Sequence, residues 1–322
     1  MEAKEPRDAA SREKPRVSRS RRSVAKVVLA LAVLTFLVVS LSPSEPKRFG
    51  LSLSQCLNLL PLDDGQNTAT LPMDSKAKRA LGAMGRDAMP HLLSVLTPSS
   101  PLKQRIDKAL RNSPLKSPPS HRSVFDSAMK SDLRRKAAGV AFHHLGGNAN
   151  TALEDLMSIL EENRGTTSRE NSTCVTGAAI ALAAIEPEGV DALAAHAEGT
   201  DTILRRAAMI GLGYARCPDD RHVTTLLSHT SDKDSLTRML AIQSLGRAKR
   251  QPRRVVPALI GALKDSTMMA PVLAARSLGT LGEDASAALP ELWRLSNSTN
   301  IMFSAEARSA IRKIEGEEAA SK

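Results

Sequence analysis

The sequence predicts an all-α protein, a right-handed α-solenoid of antiparallel helix pairs with about six to seven units, preceded by one transmembrane helix. The main observation is a period of 33 residues from residue 200 onward, whose clearest column is Ala208, Ala241, Ala274 and Ala307. A repeat of this length forms a supersecondary unit that cannot bury its apolar face alone, so successive units stack. The second observation is one Trp, one Tyr and five Phe in 322 residues, which leaves small and aliphatic side chains to fill a core of close-packed helices.

The columns of the repeat indicate two helices per unit. Alanine at a fixed position of the first helix allows the neighbouring helix to approach closely, and the side chain four residues later fills the core between units. This second column contains Leu212, Leu245, Leu278 and Ile311. The glycine that follows three of these residues (Gly213, Gly246 and Gly279) is expected to end the first helix and turn the chain.

The second helix of each unit has markers of its own. Pro257 and Pro290, one period apart, are expected in its first turn, where a missing N–H costs nothing. Asp232 and Asp265, also one period apart, are expected to cap the first helix of the next unit. Trp293 falls in an apolar column of the second helix, and we expect it to pack inside.

The array is predicted over residues 75–315, with a polar tail over 316–322. The stretch 97–130 interrupts it with five prolines and seven serines around one amphipathic segment. This stretch is either a degenerate repeat or a surface excursion, and order is predicted to resume at Ser131.

Residues 24–42 are predicted to cross a membrane as an uncleaved signal anchor. Lys26 is their only charge, and only Thr35, Ser40 and Ser42 are otherwise polar. At about 1.5 Å of rise per residue they are just long enough for a bilayer core of roughly 30 Å. The basic tail 1–23 predicts a cytoplasmic N-terminus and an extracytoplasmic array, in the periplasm or at the cell surface. A cleaved signal peptide is the alternative. The following residues, 43–74, are predicted to be a linker with one short helix over 51–60.

The net charge of +11 does not indicate a nucleic-acid partner. Residues 1–48 hold eleven Lys or Arg against five Asp or Glu, a balance of +6, whereas residues 49–322 hold 34 against 29, a balance of +5. Aromatic side chains for base stacking are nearly absent, so nucleic acid is not expected as a partner. The three cysteines (Cys56, Cys174 and Cys217) are too few and too scattered for a disulfide framework.

The candidate site for partner binding is a basic segment in the turn of the fifth unit. It contains Arg247, Lys249, Arg250, Arg253 and Arg254. Such a cluster suits an acidic protein, an anionic lipid or a nucleic-acid phosphate, and the alternative is a solvated basic loop.

Two groups of histidines are candidate metal ligands. The segment 217–222 and His229 lack the ligand spacing typical of zinc, so a polar turn with aspartate caps is predicted there. His143 and His144 are adjacent and point about 100° apart on a helix, which predicts one histidine toward the core and one at the surface. Motifs for phosphate loops, nucleophiles or paired carboxylates are absent, so we predict no catalytic residue, cofactor, metal or small-molecule substrate.

Units such as 236–266 and 273–295 resemble HEAT repeats of the short bacterial, PBS-lyase-like type. The resemblance covers roughly residues 75–315 and is strongest over 200–315. With its anchor, the chain also resembles bacterial membrane-anchored HEAT-repeat proteins. The resemblance implies an α-solenoid with a protein-binding role and no catalytic residue.

The sequence therefore predicts a membrane-anchored scaffold that binds a protein partner outside the cytoplasm and catalyses nothing itself. We expect the partner on the concave face, formed chiefly by the second helices of units two to six. Two alternatives stay open. A secreted or tethered accessory enzyme of the lyase type would need a pocket with aromatic and acidic residues. A structural envelope tether would have no single partner.

Overall fold

The described part of the chain is an array of helix pairs. The computed structural model describes residues 45–60, 75–98, 121–216 and 220–316. The predicted membrane segment, 24–42, lies outside these residues. Among the helices that the structure describes, none is long and apolar enough to cross a membrane.

Six helix pairs follow each other along the described residues. One short helix, α1, precedes the pairs, and one helix, α14, follows them. The helices are α1 (Leu53–Asn58), α2 (Ser75–Met84), α3 (Met89–Leu96), α4 (His121–Phe142), α5 (Leu153–Glu162), α6 (Arg169–Leu182), α7 (Glu188–Glu198), α8 (Thr202–Leu212), α9 (Arg221–Ser228), α10 (Ser235–Ala248), α11 (Pro252–Ala262), α12 (Ala270–Leu281), α13 (Leu289–Ser296) and α14 (Ile301–Ile314). From α2 onward, even-numbered helices are the first helices of the units and odd-numbered helices are the second ones. Short 3₁₀ segments cover Gly85–Ala88, Gly146–Ala152, His229–Ser231 and Gly282–Ala288.

A small cap precedes the first pair. Strands β1 (Lys47–Arg48) and β2 (Leu51–Ser52) form an antiparallel hairpin that leads directly into α1. Ser52 and Gln55 form a capping box, in which the Ser52 N–H donates to Gln55 Oε1 at 2.8 Å and the Gln55 N–H donates to Ser52 Oγ at 3.3 Å. The buried face of α1 packs against α2 and α4, so this segment belongs to the array rather than to a free linker.

The start of the second unit differs from the prediction. Helix α4 begins at His121, well before the predicted restart at Ser131, and runs for 22 residues. The serines and prolines before His121 made this start hard to predict from the sequence, because such residues weaken a helical sequence pattern without excluding a helix.

The predicted core columns are confirmed. The four alanines of the repeat are fully buried, and so are the leucines of the next column. A third buried column contains Leu226, Leu259 and Leu292 of the second helices. First helices of successive units pack along their whole length on the alanine face, which is the close approach that the small side chain allows.

Most of the glycine column has a different role from the predicted one. Gly246 and Gly279 lie inside α10 and α12, and Gly213 directly follows α8 with a helical φ of −67°. A β-carbon on Gly246 would lie 2.5 Å from Ser277 Oγ, and one on Gly213 would lie 2.7 Å from Ser244 Cβ. Gly246 and Gly279 therefore let each first helix touch the next one and do not turn the chain, whereas Gly213 ends α8 as predicted and also contacts the next first helix.

The predicted caps are also corrected. Asp234 caps α10 through the Thr237 N–H at 2.8 Å, whereas Asp232 and Asp265 each accept a backbone N–H two residues later within the preceding turn. Pro290 lies in the first turn of α13 as predicted, but Pro257 lies inside α11, which begins at Pro252. Two aspartates in one short loop made the capping residue ambiguous from the sequence.

Trp293 does not pack inside, and the prediction was wrong. Its side chain is 51% exposed, while Leu292 beside it is fully buried. Adjacent residues on a helix point about 100° apart, so the column of Leu227, Ile260 and Trp293 lies at the border of the buried stripe. In Leu227 and Ile260 this border position is partly buried.

The contact between first helices predicts the outcome of a small substitution. Replacing Gly246 by Ala should lower the free energy of unfolding by about 1–3 kcal/mol, because its β-carbon would collide with Ser277. The matched control is Gly261→Ala in α11, where a β-carbon meets nothing within 4 Å; there stability should stay equal or rise by up to about 1 kcal/mol. Urea unfolding measures both, and equal midpoints for the two variants would refute the proposed role of the glycine.

Candidate protein-binding surface

The two rows of helices pack differently. From α4 onward, first helices of neighbouring units meet at glycine contacts, whereas second helices of neighbouring units touch at few points. The prediction that the second helices form the concave, partner-binding face stays a prediction.

A row of exposed apolar side chains runs along the starts of the first helices. We call the exposed side chains of Leu236, Met268, Met269, Ile301 and Met302, together with the partly buried Ile203, the apolar edge row. Leu236, Met269 and Met302 repeat with the 33-residue period and are 40%, 36% and 46% exposed. Because α10, α12 and α14 pack against each other, equivalent positions on them are neighbours in space. Contiguous exposed apolar residues of this kind are typical of protein-interaction sites.

The border of the apolar edge row is polar, and its charges are paired. The Arg206 guanidinium donates to both carboxylate oxygens of Asp234 at 2.7 and 2.9 Å, and Arg238 pairs with Asp265 at 3.0 Å. The hydrogen bonds from Arg206 and Thr237 hold the pKa of Asp234 well below its usual range. These pairs join successive units, so they fix the spacing of the row while they cancel its local charge.

The predicted basic segment does not present five equivalent cations. The Arg247 guanidinium lies 5.2 Å from the centre of the Tyr214 ring, Arg250 binds the Asp220 carboxylate, and Arg254 donates to Gln251 Oε1 at 2.7 Å. Only Lys249 and Arg253 in this segment are exposed without a hydrogen bond or ion pair among the described residues.

The turn that holds the basic segment is unusually constrained. Lys249 and Gln251 adopt left-handed conformations with φ of 47° and 46°, and so does Asp220 with φ of 54°. Asp220 accepts hydrogen bonds from Arg250 and Gln251, which lower its pKa. Non-glycine residues adopt this conformation at a cost of about 1–3 kcal/mol each, so they persist only where other contacts determine it. The turn is therefore rigid.

The candidate metal ligands have structural roles where the structure describes them. His222 is fully buried, and His229 lies 3.1 Å from the Ala197 carbonyl through Nε2. Cys217 and Asp219 lie outside the described residues. Within the described residues, no three His, Cys, Asp or Glu side chains are arranged to hold a metal ion. Cys56 and Cys174 are both buried, and burial raises the pKa of the Cys174 thiol to about 11.

His143 and His144 are both partly buried, so neither lies wholly in the core and neither is fully exposed. His143 Nε2 lies 3.1 Å from the Ile180 carbonyl of the next unit and therefore donates to it. Burial, together with the positive charge of Arg216, lowers the pKa of each imidazole to about 4. Both histidines are neutral at pH 7 and act as uncharged packing groups between units.

The stacked helix pairs define the class of protein, a helical-repeat solenoid. A family model described as HEAT repeats matches residues 190–268, which run from α7 to just beyond α11. Residues 190–268 therefore match HEAT repeats. No curated protein matches the sequence.

Several solved structures are similar to parts of the chain at low identity, with TM-scores below 0.5. An engineered protein is 17% identical over 57% of this chain and 92% of its own, with a TM-score of 0.41. The karyopherin Kap121p, solved bound to the SUMO protease Ulp1p, is 15% identical over 74% of this chain, with a TM-score of 0.47; the match spans 26% of the karyopherin. A designed armadillo repeat protein in complex with the peptide (KR)4 is 13% identical over 70% of this chain and 98% of its own, with a TM-score of 0.39.

The two histidines predict how stability depends on pH. Their folded-state pKa of about 4 lies below the ordinary value of 6.5, so the unfolded chain binds more protons between these values. Their contribution to stability is complete above pH 6.5 and declines as the pH falls toward 4. The double variant His143→Gln, His144→Gln should lose less stability than the parent between pH 7 and pH 4.5, as measured by urea unfolding. An equal loss in both proteins would contradict this assignment.

Proposed function

We propose that the HEAT array binds a protein partner through the apolar edge row and performs no catalysis of its own. The observation that carries the proposal is the repetition of an exposed Leu or Met at one position of three consecutive units. The buried columns of the same repeat need an apolar residue for folding, but this exposed position does not. A large apolar side chain is therefore best explained by a contact outside the chain.

The surroundings of the row support a protein as the partner. Protein interfaces combine an apolar centre with a polar rim, and here the rim consists of the Arg206–Asp234 and Arg238–Asp265 pairs. Since both pairs are already neutralised within the array, the row offers apolar contact rather than net charge. This composition suits an apolar ridge or an amphipathic helix of another protein better than a polyanion.

We also propose that residues 24–42 anchor the protein in a membrane, with the array on the extracytoplasmic side. The support is the uninterrupted apolar run and the seven Lys or Arg residues between residues 12 and 26. A membrane tether would confine the array to two dimensions, and this raises its effective concentration toward a partner in the same layer.

The apolar edge row can be tested by polar substitution. The combined variant Leu236→Ser, Met269→Ser, Met302→Ser should lose the dominant neighbour that proximity labelling with the full-length protein identifies, since its apolar contact area is removed. The matched control is Trp293→Ser, which removes an exposed apolar side chain from a second helix and should keep that neighbour. If the triple variant keeps the neighbour, or if labelling yields only a diffuse set, the proposal fails.

The anchor is tested separately by fractionation of cells that express the full chain. The protein should remain in membranes after alkaline carbonate extraction, and deletion of 24–42 should release it. Protease added to the extracytoplasmic side should digest the array and spare an N-terminal epitope. A mature N-terminus near residue 43 would exclude the anchor.

A further inference from the structure

A groove beside α11 is separate from the apolar edge row. It lies between α11 and the 3₁₀ segment Gly282–Ala288, close to the ends of the first helices where the edge row does not reach. Its volume is about 660 Å³, which is enough for several side chains of a bound peptide.

The groove has an apolar floor and walls of opposite charge. Val256, Pro257 and Ile260 supply the apolar part. Arg253 lines one wall, and Glu283 and Asp284 line the opposite wall. All three charged side chains are exposed, and no ion pair joins them to each other or to other described residues. The fold therefore holds opposite charges apart across a groove, where neither neutralises the other.

The backbone that carries the positive charge is held by contacts within the protein. Arg253 is the second residue of α11, which begins at Pro252 immediately after the constrained turn of Lys249 and Gln251. Asp220 of the preceding unit binds that turn through Arg250 and Gln251. Binding therefore needs to order the Arg253 side chain but not the backbone beneath it.

We propose that this groove binds an extended peptide segment that carries an apolar side chain between an acidic and a basic one. The acidic side chain pairs with Arg253, the apolar one contacts Val256 and Ile260, and the basic one pairs with Glu283 and Asp284. A purely anionic ligand such as a lipid surface or a nucleic acid fits less well, because two carboxylates face it from the second wall. The basic segment thus contributes one wall of a mixed-charge site, which is independent of the edge row.

Fluorescence polarisation with labelled peptides and the full-length protein tests this inference. The probes are short peptides with the cores Asp-Leu-Lys, Lys-Leu-Asp, Asp-Leu-Asp and Lys-Leu-Lys. The unmodified protein should bind one of the mixed-charge peptides about fivefold more tightly than either single-charge peptide, as expected for exposed charge pairs. Arg253→Glu should shift the preference to Lys-Leu-Lys, and Glu283→Lys with Asp284→Lys should shift it to Asp-Leu-Asp.

Lys249→Glu is the matched control, since it reverses an exposed charge in the same turn outside the groove. It should leave the preference unchanged. The proposal is overturned if no peptide binds, if the two wall variants keep the original preference, or if Lys249→Glu shifts it equally. Binding to phosphatidylserine vesicles or duplex DNA that Arg253→Glu abolishes, without peptide selectivity, would instead assign the groove to a polyanion.

Discussion

The contact between successive first helices is the constraint on which the rest of the structure depends. Buried alanine and glycine bring these helices together until Gly246 meets Ser277 and Gly213 meets Ser244. The second helices lack such contacts, so the spacing differs between the two rows. A groove lies between α11 and the following unit.

Polar contacts between units orient each unit relative to the next one. Arg206 reaches Asp234, Arg238 reaches Asp265 and Arg276 reaches Glu306, and each pair joins one unit to the next. Every carboxylate in these pairs is largely shielded from solvent. The pairs therefore contribute more to stability than exposed ion pairs do, and they hold the loops of successive units in register. The edge row and the groove are thus presented at fixed positions by contacts that do not involve a ligand.

Much of the fold follows from the sequence, because a periodic column constrains several residues at once. Ala208 and Leu212 are buried as their columns predict. The errors concern features that a single column cannot distinguish. A glycine at the end of an apolar stripe can either end a helix or allow a close contact with a neighbouring helix. Gly246 allows such a contact. Trp293 lies one residue beyond a buried column, where a rotation of about 100° exposes it. The binding surfaces were harder to predict from the sequence, since the acidic residues Glu283 and Asp284 lie about one repeat length away from the basic segment along the chain.

The glycine contacts also determine how the array can deform. Helices in contact through the backbone cannot come closer, and separating them would open voids, so the row of first helices resists both compression and stretching. The second helices touch at few points, so a change in their spacing would disrupt less packing. A ligand that fills the groove between α11 and Gly282–Ala288 would oppose such a change between these two elements, whereas a ligand on Leu236 and Met269 would not.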